Sequence, residues 1–149
     1  MPLPIEEEQP DPNYPPFFDP LAVSPGFSQV INFDPGNDEE ASLTFELPVV
    51  GDYNVDDTLF WRVYLNYDPQ TFPIRINGGE IRTTDSVIRE GLRFTLNCSN
   101  FRPFRAVDLH RLELVIGDRA FSDPNSPALL TGAEQTRIAW FIELSTPCP

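Results

Sequence analysis

Five stretches of this chain alternate apolar and polar residues with a period of two, and no stretch sustains a helical period. Leu43, Phe45 and Leu47 alternate with Thr44 and Glu46, and Leu92, Phe94 and Leu96 with Arg93, Thr95 and Asn97. Leu59, Trp61, Val63 and Leu65 alternate with Phe60, Arg62, Tyr64 and Asn66. Leu112, Leu114 and Ile116 alternate with Arg111, Glu113 and Val115, and Ile138, Trp140, Ile142 and Leu144 with Ala139, Phe141, Glu143 and Ser145. Successive side chains of a strand point to opposite faces, so each run predicts a strand with one buried face. Trp61 and Trp140 fall on predicted inward faces and are assigned to the core.

The breaks between the runs carry turn chemistry. Asn77-Gly78-Gly79, between Ile74-Arg75-Ile76 and Glu80-Ile81-Arg82, predicts a short hairpin turn. Asp34 to Asp38 and Asp123 to Pro127 read as loops, and single helical turns are expected at 85–90 and 131–135. About seven short strands without intervening helices predict an all-β fold, an antiparallel β-sandwich, with a closed barrel as the alternative. The sandwich is expected over residues 27–149. Residues 1–26 form a separate block with eight of the 17 prolines and the acid run Glu6 to Glu8. Proline removes backbone donors and fixes φ, so this block reads as a stiff, acidic spacer. Its insert Tyr14-Pro15-Pro16-Phe17-Phe18 is too apolar for pure linker. It either packs back onto the domain, the preferred reading, or serves as a docking peptide.

The 149 residues suffice for one core. The formal net charge of −13 argues against nucleic acid and anionic membrane surfaces as partners. No stretch is apolar for long enough to cross a membrane as a helix, and the start has neither the basic nor the apolar region of a signal peptide. Cys98 and Cys148 allow one bridge, which is expected if the compartment is oxidising. With two cysteines and the single histidine His110, zinc has almost no ligands to draw on.

The segment from Asp52 through Leu65, DYNVDDTLFWRVYL, resembles the centre of bacterial immunoglobulin-like and PKD-like surface domains, where an Asp-rich loop leads into a strand with a central Trp or Tyr. His110 to Arg119, HRLELVIGDR, is similar to their penultimate strand and its Asp-containing turn, and residues 136–144 to their closing strand. The resemblance spans residues 52–144. It departs from the PKD pattern in having no Gly in the Asp-rich loop, and from the antibody pattern in the placement of its cysteines. It implies an immunoglobulin-like sandwich in an exported protein or lipoprotein: periplasmic, outer-membrane-anchored or secreted, with a lipid anchor ahead of the first residue as the only membrane link.

Catalysis has little support. His110 shares parity with Leu112 and Leu114, and Asp108 lies two residues away on the same face, but a histidine that caps the sandwich is the preferred reading. No Gly-x-Ser-x-Gly elbow is present. The chain is therefore read as a non-enzyme without an obligatory cofactor. Calcium is the one candidate ligand, since Asp52, Asn54, Asp56 and Asp57 are closely spaced oxygen donors, with Asp118 and Asp123 available from a second loop. The competing reading is a solvated turn using Asp and Asn for local hydrogen bonds. Asn97-Cys98-Ser99 fits a glycosylation sequon, which a bridge at Cys98 would obstruct. Phe60, Tyr64 and Phe141 fall on outward faces. They are expected either as a contact face for a protein or a glycan, or as a surface covered by Phe17 and Phe18.

Overall fold

The computed structural model of the chain describes residues 12–68, 70, 75–83, 85–122, 127–129 and 132–149. Ten strand segments follow one another: β1 (Phe17–Phe18), β2 (Ile31–Phe33), β3 (Ser42–Leu47), β4 (Val50–Gly51), β5 (Leu59–Leu65), β6 (Arg75–Ile81), β7 (Ile88–Arg89), β8 (Leu92–Asn97), β9 (Leu109–Gly117) and β10 (Gln135–Leu144). A four-residue helix, α1 (Cys98–Phe101), and a 3-10 turn, Arg102–Phe104, lie between β8 and β9. The fold is an all-β sandwich. One layer has the strand order β2-β10-β9-β5-β6 and is open at both edges, so the barrel alternative is not adopted. Its pairings are antiparallel except β2 with β10, which is parallel, a departure from the fully antiparallel expectation.

The second layer is built around β3 and β8, which place Leu43 opposite Leu96, Phe45 opposite Phe94 and Leu47 opposite Leu92. Cross-strand pairs of this kind are the unit of sheet stabilisation. β4 and β7 extend the two strands past a bend at Pro48 and Gly91. A Cβ at Gly91 would lie 2.3 Å from the Leu47 carbonyl oxygen, so only glycine fits there. The layers meet through aromatics. Phe45 stacks on Phe94 at 5.0 Å and 6°, Trp140 meets Phe45 edge-on at 5.1 Å, and Trp61 lies 6.0 Å from Phe94. Trp140 is fully buried and Trp61 nearly so. Every apolar residue assigned inward in the five runs is buried or half-buried.

Residues 12–26 are docked on the sandwich. β1 pairs with β4, and Ser24 exchanges two backbone hydrogen bonds with Glu46 on the outer edge of β3. Val23 is buried, Phe18 packs on Phe27, and the Trp140 indole N–H donates to the Pro25 carbonyl at 2.9 Å. The proline-rich segment thus supplies the edge strand that this layer lacks. Glu6 to Glu8 lie outside the described residues.

Three local expectations are corrected. Asn77, Gly78 and Gly79 do not turn; they sit inside β6, opposite Val63, Arg62 and Trp61. The reason is the Trp61 ring, whose Nε1 would lie 2.9 Å from a Cβ at Gly79, so the glycine leaves room for the indole. Residues 85–90 form no helical turn; Ile88–Arg89 is a strand paired with β4. Gln135 opens β10 rather than ending a helical turn, and Thr131 lies outside the described residues.

Candidate functional site

The end of the sandwich from which β5 starts and at which β9 finishes collects acids. Asp52 follows β4, Asp57 precedes β5, and Asp118 follows β9. Each contributes a carboxylate oxygen to a group lying within 4.8 Å of one another. Asp52 is fully buried, Asp118 is 6% exposed, and Asp57 is half-buried. One oxygen of each buried acid holds a loop. Asp52 Oδ1 accepts from the Asn54 N–H at 2.8 Å, and Asp118 Oδ1 from the Glu134 N–H at 2.9 Å. The other oxygen, Oδ2 in both, is buried and accepts no hydrogen bond from a described residue.

The electrostatics follow from this packing. Burial pushes the Asp52 carboxyl up to about 6; the Asn54 N–H opposes this, while the Asp57 and Asp118 charges add to it. Asp57 is raised for the same first reason, with Asp118 the next contributor. Arg89, also buried, packs beneath the loop, and Arg119 adds a second positive charge that acts on Asp57. Arg89 spends its donors on backbone carbonyls: Nε on Ser86, Nη1 on Asp57, and Nη2 on Asn54 and Val55, at 2.6–3.1 Å. It therefore fixes the loop from 54 to 57 and forms no ion pair with the three acids.

The four acids and amides singled out from sequence divide. Asp52 and Asp57 come together. Asn54 turns away, with its Oδ1 accepting from the Tyr14 N–H at 2.9 Å and its Nδ2 donating to the Pro12 carbonyl at 3.1 Å. Asp56 is exposed. Asp118 joins from the second loop, and Asp123 lies outside the described residues. No sequence pattern marks Arg89, a lone arginine after Val87 and Ile88.

The opposite end is closed differently. Cys98 and Cys148 form a disulfide, with Cα atoms 5.4 Å apart. Cys98 opens α1, because Asn97 caps that helix: its Oδ1 accepts from the Ser99 N–H while the Asn100 side chain accepts from the Asn97 N–H. The sequon asparagine is thus engaged in a capping box. His110 is buried against Phe101 and bonds Asn66 Nδ2 through Nδ1 at 3.0 Å. Asn66 Oδ1 accepts from the Arg111 N–H, which orients the amide and makes His110 Nδ1 the acceptor of a neutral ring. Burial lowers the His110 pKa, with the Asp108 charge opposing. Asp108 itself is exposed, so the pair does not form a base and its orienting group.

The proposed aromatic face is not assembled. Tyr64 is buried, beneath a ring contact with Tyr67 at 5.6 Å, which corrects its assignment to an exposed face. Phe60 is half-buried opposite Gly117, whereas Phe141 is exposed opposite Arg111. Six residue steps along β9, from Arg111 to Gly117, separate the two, about 20 Å along the strand. Phe17 and Phe18 do not cover them; Phe17 packs on Tyr53 and Phe18 on Phe27. No protein-family model matches this chain, and no curated protein or solved structure is significantly similar to it.

Proposed function

We propose that the chain is a non-catalytic, immunoglobulin-like module of an extracytoplasmic protein, and that it makes protein–protein contact through the outer sheet face around Phe141. The strand order supports the family reading: β10-β9-β5-β6 corresponds to the G-F-C-C′ run of an immunoglobulin sandwich and β3-β8 to its B-E pair. Trp61 on β5 occupies the place of the buried strand-C tryptophan. The pairing of both cysteines supports an oxidising compartment. Among the described residues no helix is long and apolar enough to cross a membrane.

One observation carries the contact reading. Phe141, Leu109 and Val30 are 41%, 48% and 48% exposed; Phe141 and Leu109 lie on one face of the paired strands β10 and β9, and Val30 immediately precedes β2 on the other side of β10. Phe141 faces Arg111 across the β9-β10 ladder, Leu109 faces Glu143, and Val30 precedes β2, whose Ile31 lies beside Ile142. Clustered apolar side chains with a neighbouring arginine fit an apolar protein surface that carries a carboxylate. A glycan platform has less support, since only one of the three aromatics is openly exposed.

The test compares immobilised chain with the Phe141→Glu, Leu109→Glu double variant, both checked for equal melting, against an envelope extract of the source cells. The reading expects a defined protein retained by the parent and reduced at least tenfold on the variant. Equal recovery on both removes this face from consideration.

A further inference from the structure

We propose that Asp52, Asp57 and Asp118 bind a single calcium ion at the loop end of the sandwich. Three carboxylates crowd within 4.8 Å, and two of them, Asp52 and Asp118, are more than nine-tenths buried. An ionised carboxylate out of water requires a counter-charge or a full set of hydrogen bonds. Neither Asp52 nor Asp118 has the full set, because Oδ2 of each is buried without a hydrogen-bond donor among the described residues, and the Arg89 charge is the weakest influence on Asp52. The nearby buried cation, Arg89, is committed to the carbonyls of Ser86, Asn54, Val55 and Asp57. The missing partner is a positive charge that enters between the acids.

The donor set selects its kind. All three ligands are hard carboxylate oxygens, with no thiolate or imidazole in the group, which excludes a zinc-type site. Oxygens on opposite sides of one calcium ion lie about 4.6–5.2 Å apart, so the 4.8 Å grouping fits one coordination sphere. Ligands from two separate loops give the uneven, adaptable geometry that calcium accepts, whereas magnesium demands a near-ideal octahedron at shorter distances. A site shared by the β4–β5 connection and the connection after β9 ties both layers together at this end.

The experiment is a calcium titration of EDTA-treated protein at pH 7.5, read by isothermal calorimetry and by melting temperature, with magnesium in parallel. The expected result is one calcium per chain, a melting point several degrees higher at millimolar calcium, and a smaller response to magnesium. Asp118→Asn and Asp57→Asn keep the side-chain shape and should weaken binding at least tenfold. Asp56→Asn, on the exposed side of the same loop, should change it less than twofold. Terbium luminescence sensitised by Tyr53 or Tyr14 gives a readout on the parent chain alone, should a variant fail to fold. The proposal is overturned by the absence of binding heat and melting shift at 5 mM calcium, or by unchanged affinity in both Asp118→Asn and Asp57→Asn.

Discussion

The two ends of this sandwich are closed by opposite means. At one end the chain is stitched covalently, by Cys98–Cys148, and its polar groups are neutral and matched: buried His110 to half-buried Asn66, Asn66 to the Arg111 N–H, and exposed Asn97 to Ser99. At the other end, nothing covalent holds the loops. Asp52, Asp57 and Asp118 meet with two oxygens unmatched, above an arginine that is spent on backbone carbonyls. The first end is complete within the chain; the second is charged and incomplete without something from solution. The same core runs between them, so the difference lies in the closures and not in the packing.

Reduction should have the largest effect. The bridge closes 50 residues, for which loop-closure entropy gives about 4 kcal/mol of stabilisation. Reductant, or Cys98→Ser with Cys148→Ser, should lower the unfolding free energy by a figure near this, measured by urea denaturation. A loss under about 1 kcal/mol would mean that α1 and the last residues hold this end without the bond, and the contrast would weaken.

Neutralising the other end should act in the opposite direction. In EDTA at pH 7.5, Asp52→Asn removes a buried charge and keeps an oxygen for the Asn54 N–H. The variant should be more stable than its parent by about 2 kcal/mol. In millimolar calcium the order should reverse, since the parent gains a ligand-bound state that the variant lacks. A variant less stable than the parent in EDTA would show that this end is already satisfied without an ion.

The sequence reveals these regions unevenly, for physical reasons. Period-two alternation reports which face of a strand is apolar, and the inward faces from Leu43 to Leu144 pack as the alternation predicts. It cannot report what covers the other face. Tyr64 and Val115 point outward and are still buried; Tyr67 packs on Tyr64, and the connection after β9 lays Phe121 over Arg62 and Leu129 against Gly117. Gly78 and Gly79 carry a turn signature that Trp61 overrides from the neighbouring strand. The acid cluster was half legible. Asp52 and Asp57 stand close in sequence, but Asp118 joins them only because β5 and β9 are neighbours, and Asn54 leaves because Pro12 and Tyr14 take its side chain.

The smallest expected effect sharpens the comparison at the covalent end. His110 is buried and neutral, and burial lowers its pKa below the ordinary 6.5, against the pull of Asp108. A lowered histidine means that the unfolded chain takes up its proton first. Its contribution to stability is therefore full above about pH 6.5 and is lost as pH falls through the folded value. Urea unfolding from pH 7.5 down to 5 should show a loss in the parent that His110→Gln reduces, with calcium held saturating so that the acid end stays fixed. The Asp108 charge opposes the lowering, so raised salt, which screens that charge, should steepen the slope. If His110→Gln keeps the parent's full pH dependence, the sensitivity belongs to the carboxylates, and the matched end is insensitive to pH as well as closed.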